Sequence, residues 1–220
     1  KGENSTARIS NELALALQRA GEYEQALEAF ARTKSLAVKV YGPDHSNIAM
    51  IAGSVSLSLL RLGRFAEAEA EARTALSIGE KAKGADHPRL ADFWFTVGEA
   101  LQGQKKNPAE ADAAMQRGLQ LVRAKYKSTD IQTATSLARV AEYEVKAGRA
   151  QLGLKDVREA LAVLAGMGTP EEGWAHVWEG RALRALGKAD EGRRSVARGR
   201  AVLEPKLGAE HPDLKKLAEN

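Results

Sequence analysis

Three of the four histidines, His45, His87 and His211, each follow an acidic residue in a short linker. Imidazole beside carboxylate is the pairing from which metal sites and general bases are made. A metal needs ligands that converge, however, and these three lie in linkers separated by whole repeats. Capping of the helix that follows each linker is the simpler expectation. The fourth, His176, sits between Trp174 and Trp178 and reads as part of a helix face. The carboxylates Glu67, Glu69 and Glu71 are ordinary on a solvated helix. No GxxxxGK[ST] loop, GxSxG elbow or HExxH helix occurs. Gly166-Met167-Gly168 does not follow a strand, so a phosphate cradle is not indicated. Catalysis is not expected of this chain, and neither a cofactor nor a metal is called for.

Composition agrees with that reading. The 220 residues carry a net charge of +4, 44% apolar side chains, 5% aromatics and no cysteine. A core short of aromatics must be built from Ala, Leu and Val, which suits helices packed closely side by side. Without cysteine there is no disulfide framework and no thiolate metal site. No apolar run approaches the ~18 residues of a membrane span. The chain starts at Lys1 with neither a methionine nor a signal-like segment, so an excised piece of a longer protein is expected; the cytoplasm is the expected compartment, with an extracytoplasmic domain of a larger protein as the alternative. Basic residues gather late, from Arg181 through Arg184, Lys188, Arg193, Arg194, Arg198 and Arg200 to Lys206.

The elements behind these residues are helices in repeated pairs. Ile9, Leu13, Ala14 and Leu17 recur at three and four residues, the spacing of one helix face. Ser5 and Thr6 are candidate N-caps for that helix. Gly21 ends it, and Ala26, Leu27, Phe30 and Leu36 form the face of a second helix. That one stops at Tyr41-Gly42, where glycine can take a left-handed C-cap. The unit returns as GRFAEAEAEARTALSIGEKAKGADHP, residues 63–88, and three times more. Its turns align at Gly21, Gly63, Lys106, Gly148 and Gly187, in steps of 42, 43, 42 and 39 residues. A fixed period of helical units means stacking on a shared core. The expected architecture is all-α, an α-solenoid of about five helix pairs forming a single array over residues 1–220. Repeats fall at about 5–42, 46–84, 88–127, 129–168 and 170–207, with a short capping helix at 211–219.

The pattern Leu13-Ala14, Leu17, Gly21, Tyr23, Ala26, Phe30 resembles the tetratricopeptide repeat. Val55-Ser56, Leu59, Gly63, Phe65, Ala68 and Ala75 repeat it. The family's common period is ~34 residues. The longer period here, with the linkers GPDHS at 42–46, GADHP at 84–88 and GAEHP at 208–212, resembles the kinesin-light-chain subtype. That subtype also serves bacterial signalling proteins, including Ser/Thr kinases with helical-repeat tails. In the last two repeats Gly153 and Gly192 stand where the family has a second-helix alanine.

The resemblance implies a right-handed superhelix whose first helices line a concave groove for a protein or peptide ligand. Carried over position by position, the groove residues are Asn11, Leu15, Gln18, Met50, Ser54, Leu57, Leu60, Phe95, Arg139, Glu142, Trp174, Trp178 and Arg181. An apolar anchor flanked by charges is what an extended peptide or partner helix needs. Self-association is a further possibility. Nucleic-acid or anionic-surface binding through the basic C-terminal repeat ranks below, because base readout needs a repeated polar or aromatic pair. Small-molecule sensing near Trp174 and Trp178 is the third alternative.

Overall fold

The computed structural model describes residues 2–218, and among them every regular element is helical. Eleven α-helices follow one another: α1 (Gly2–Arg19), α2 (Tyr23–Tyr41), α3 (Ser46–Arg61), α4 (Phe65–Lys83), α5 (Ala91–Gly103), α6 (Pro108–Lys125), α7 (Ile131–Lys146), α8 (Ala150–Leu164), α9 (Pro170–Ala185), α10 (Ala189–Leu207) and α11 (Pro212–Ala218). A 3-10 turn, Pro88–Leu90, leads into α5. The helix expected over 211–219 is α11; its last expected residue lies outside the described ones. Ser5 and Thr6 do not cap α1, because the helix already runs through them from Gly2.

Each pair is closed by the same turn, and its hydrogen bonds explain the period. Gly21 N–H donates to the Gln18 carbonyl and Glu22 N–H to that of Leu17; Gly63 and Arg64, Gly148 and Arg149, and Gly187 and Lys188 repeat the arrangement. It satisfies carbonyls that a helix end leaves open and demands a positive φ, which is 76–80° at these four glycines. In the third repeat the bonds from Lys105 N–H to Gln102 and from Lys106 N–H to Leu101 match them. Lys105, not Lys106, therefore holds the glycine position, at φ 55°. The extra residue of that turn is absorbed after it, where Asn107 also takes a positive φ of 44°.

The linkers behave as a second repeated device. Gly42, Gly84 and Gly208 end their helices at φ 84–86° with ψ 144–163°. That is an extended conformation of positive φ open essentially to glycine alone, not the left-handed cap the sequence suggested. Three residues on, the histidine turns its ring back: Nδ1 of His45, His87 and His211 accepts from the N–H of Asn47, Arg89 and Asp213 at 3.1, 3.2 and 3.3 Å. The three histidines are helix caps.

Two compact units, residues 1–121 and 122–220, make up the chain. In the first, the core runs through Ala14, Ala26, Phe30, Ala37, Ile48 and Ile51, and continues in Leu59, Ala68 and Ala100. In the second, Val177, Leu203 and Leu214 join α9, α10 and α11, with Trp174 and Leu217 against them. Burying the Val, Leu, Ile and Phe side chains among these contributes about 1.5–3 kcal/mol each, which helps hold helices that would be marginal alone.

Candidate functional site

In the first unit, α1, α2 and α3 leave a cleft of about 250 Å³ between them. Asn11 and Met50, two residues expected in the groove, line it together with Arg8, Tyr41 and Asn47. Met50 is 43% exposed, so a thioether offers apolar surface at the rim while amides and a guanidinium offer hydrogen bonds. The Tyr41 ring stacks on the capping His45 at 4.9 Å, which braces the cleft's end. Gln18 and Ser54 also meet, but each other: Gln18 Nε2 donates to the Ser54 carbonyl at 2.7 Å and to Ser58 Oγ at 2.8 Å. That amide ties α1 to α3. Leu15 and Leu60 are half-buried against the core clusters, and Leu57 is half-buried on α3.

Phe95 is not a groove residue. It is 1% exposed, and its ring occupies the space over Gly118, where a Cβ would come within 2.6 Å of it. The helix face carried over from the family is off by one position there, and the ring belongs to the core.

In the second unit, Glu142, Trp178 and Arg181 come together across α7 and α9. The Arg181 guanidinium lies 4.6 Å from the Trp178 ring centroid and Lys146 Nζ lies 5.2 Å from it. Lys146 is held at 2.5 Å by Glu142. Cation–π contacts of this kind are worth about 0.5–2 kcal/mol, more when desolvated. Burial pushes the Arg181 guanidinium below its ordinary pKa; Glu142 opposes the shift and Arg184 adds to it. Trp178 itself is only 6% exposed, so what this patch offers a ligand is its half-buried charges, Arg181, Arg139 and Glu142. Trp174, one helical turn before Trp178 on α9, is half-buried and packs against the cluster of Val177, Leu203 and Leu214. Both tryptophans thus contribute to packing.

Two features escaped sequence reasoning. Gly166 and Gly168 do form a nest of backbone donors, and the chain fills it itself: both N–H groups donate to the Glu172 carboxylate, at 2.8 and 2.7 Å. Thr169 Oγ1 in turn accepts from Glu172 N–H at 3.3 Å. The signal was the T-x-x-E spacing of a capping box. The second is a polar cleft of about 240 Å³ lined by Arg158, Glu179, Ser195, Arg194 and Arg198. Glu179 is held there by Arg158 at 3.3 Å and by Ser195 Oγ at 2.6 Å. Among the described residues no group of three or more His, Cys, Asp or Glu side chains could hold a metal ion, and no helix is long and apolar enough to cross a membrane.

With the repeated turn, the repeated cap and the paired helices in place, kinship can be read. The tetratricopeptide repeat model matches residues 5–78 and again 47–124, together more than half of the chain. The chain belongs to the tetratricopeptide repeat family. Its fold is similar to that of solved tetratricopeptide-type proteins. Nearly identical TPR-like repeats of a kinesin light chain from Podosopora anserina superpose with a TM-score of 0.63 at 18% identity, covering 91% of this chain and 96% of that one. BtubC (BKLC) from P. vanneervenii gives 0.68 at 14%, covering 94% and 83%. A Rap protein complexed with Competence and Sporulation Factor gives 0.73 at 13%, covering 97% of this chain and 62% of that one. At such identities the likeness concerns fold. No curated protein matches the chain.

Proposed function

We propose that this chain is a protein–protein interaction scaffold that takes a peptide or a segment of a partner domain on the face formed by its first helices. The observation that carries the reading is the cleft between α1, α2 and α3, where exposed Met50 stands beside Asn11, Asn47 and Arg8. An apolar anchor ringed by amide and guanidinium donors suits an extended backbone with one hydrophobic side chain. The charged patch of Arg139, Glu142 and Arg181 is the second contact region, and Leu57 supplies apolar surface. That a similar fold was solved with a bound factor supports the reading. The proposal treats residues 1–220 as one array of five repeats, acting in the cytoplasm as the regulatory or sensory arm of a larger bacterial signalling protein such as a Ser/Thr kinase. The linkers of kinesin-light-chain type motivate that last step.

A second reading rests on a separate observation. Arg194 and Arg198 line the polar cleft one helical turn apart, and neither has an ion-pair partner among the described residues. They could hold anionic oxygens of a nucleic acid or an acidic surface. A salt titration separates the readings: binding through phosphates falls steeply with ionic strength, whereas binding to the α1–α3 cleft changes little. The direct test of the first is selection of binders from a random-peptide library, followed by Met50→Glu. Loss of binding with the helical spectrum intact supports it; unchanged binding removes the cleft from consideration.

A further inference from the structure

We infer that the polar cleft between α8, α9 and α10 binds one phosphoryl group of a small molecule, inorganic phosphate included, on Arg158, Arg194 and Arg198. The inference rests on the second reading above, that this cleft takes anionic oxygens, and narrows it to a single compact ligand. The starting point is a break in the repeat. The hydrogen bonds that close each pair place Glu179 of α9 where Val140 of α7, Val97 of α5 and Val55 of α3 stand. Val140 and Val97 are buried, and Val55 packs on the core of the first unit. Glu179 is the one charged residue at this position among the five first helices. A carboxylate there costs desolvation unless it is paired. Its side chain, 15% exposed, has partners: Arg158 Nε at 3.3 Å and Ser195 Oγ at 2.6 Å. A junction that is apolar in the earlier repeats thus becomes a polar cleft of about 240 Å³, with buried Leu183 and Ser195 in its lining. Its walls come from three consecutive helices inside the array, with α7 before them and α11 already packed on α9 and α10. The cleft does not owe its exposure to either end of the chain.

The charges left over say what fits. Glu179 answers Arg158, and Glu191, the other acid of the cleft, is paired with Lys188 at 3.8 Å. Arg194 and Arg198 line the cleft one helical turn, about 6 Å, apart, with no ion-pair partner among the described residues. Arg158 keeps guanidinium donors beyond the one spent on Glu179. Guanidinium groups from two helices around one recess match the several oxygens of a phosphoryl group, which accepts bidentate pairs. A polymer backbone would need the basic pair continued from one repeat to the next. At the places of Arg194 and Arg198, however, α8 has Lys155 and Glu159, and α6 has Ala113 and Arg117. Glu159 is 3.8 Å from Arg123, and Arg117 is 2.7 Å from Asp86. Arginine stands at both places in α10 alone among the second helices. The cleft is also smaller than the ~300 Å³ at which drug-sized pockets begin, so the ligand is compact.

Calorimetric titration of the chain with inorganic phosphate, at an ionic strength held constant with chloride, is expected to show a single site with a Kd of about 1 mM or below. Arg194→Gln and Arg198→Gln, both at exposed positions, are each expected to weaken it at least tenfold with the helical spectrum unchanged. Arg193, paired with Asp190, does not line the cleft. Arg193→Gln removes the same charge from α10 and is expected to leave the affinity unchanged. No saturation by about 10 mM phosphate, or equal weakening by all three variants, overturns the inference. A short single-stranded oligonucleotide separates the inference from the reading beneath it. An oligonucleotide bound where phosphate is not overturns the compact ligand and leaves the anionic reading standing; if neither binds, both fall.

Discussion

The two units solve one packing problem in opposite ways. In residues 1–121 aromatic rings are laid over glycines: Phe93 covers Gly53 and Gly79, and Phe95 covers Gly118. Within the helix pairs of that unit the close positions are alanines, Ala26 and Ala68, both fully buried. In α9 and α10 of the second unit glycine faces glycine. A Cβ added at Gly199 would lie 2.4 Å from the Gly173 carbonyl oxygen, and one at Gly180 2.6 Å from that of Gly192. Here the two backbones themselves touch. Four glycines in helices cost about 0.5–1 kcal/mol apiece, so the cost is offset by the contact they allow. The departure from the family's alanine in the last repeat is thus a tighter crossing, not a looser repeat.

That contrast can be broken most severely at Gly199. Gly199→Leu forces a side chain against a backbone that cannot turn aside, and a loss of more than about 3 kcal/mol is expected. Thermal unfolding followed by hydrogen exchange should show α9 and α10 exposed while α1 to α4 stay protected. Ala68→Leu in the first unit is expected to cost about 1–3 kcal/mol, because neighbouring side chains share the strain. A variant that melts like the wild type would mean that the alanine crossing is not close. Lys105→Gly goes the other way. It relieves a left-handed lysine at the turn where the other four repeats have glycine, and a gain of about 1 kcal/mol is expected in denaturant unfolding. The smallest effect is at Asp156, which is half-buried on α8. Burial pushes its carboxyl above the ordinary range, Glu144 and Glu159 add to the shift, and Lys155 and Arg123 oppose it. A raised folded-state pKa in an acid means that the native state binds the proton more tightly, so its cost to stability appears as pH rises through the carboxylate range. Asp156→Asn is expected to stabilise by a few tenths of a kcal/mol at pH 7, after solvent screening, and not at all at pH 3.

Much of the fold was legible because a repeat announces itself several times over. The glycines that close the pairs and the histidines that cap the next ones recur in register, and a single ambiguous residue is corrected by its equivalents. Lys105 is the exception that explains the rule: with no glycine to mark the turn, only the hydrogen bonds could say which lysine held the place. The candidate site was harder to read, because a helix face is set by which neighbour arrives, and that is a property of packing. Phe95 and Trp174 sit at groove positions by analogy, yet a glycine opposite the one and α11 beside the other draw both rings inward. Asn11 and Met50 line the α1–α3 cleft, and Glu142 and Arg181 stay half-buried; their part in binding belongs to the proposal. The filled nest at Gly166 and Gly168 went unnoticed since its ligand, Glu172, lies on the following helix.

The measurement that bears most directly on the account is binding of library-selected peptides to the chain and to its Met50→Glu variant, by fluorescence anisotropy at two salt concentrations. The account predicts a peptide with one apolar anchor, bound to the wild type nearly independently of salt and lost from the variant. Selection of acidic sequences alone, held equally by both proteins and released by salt, would contradict it and move function to Arg194 and Arg198.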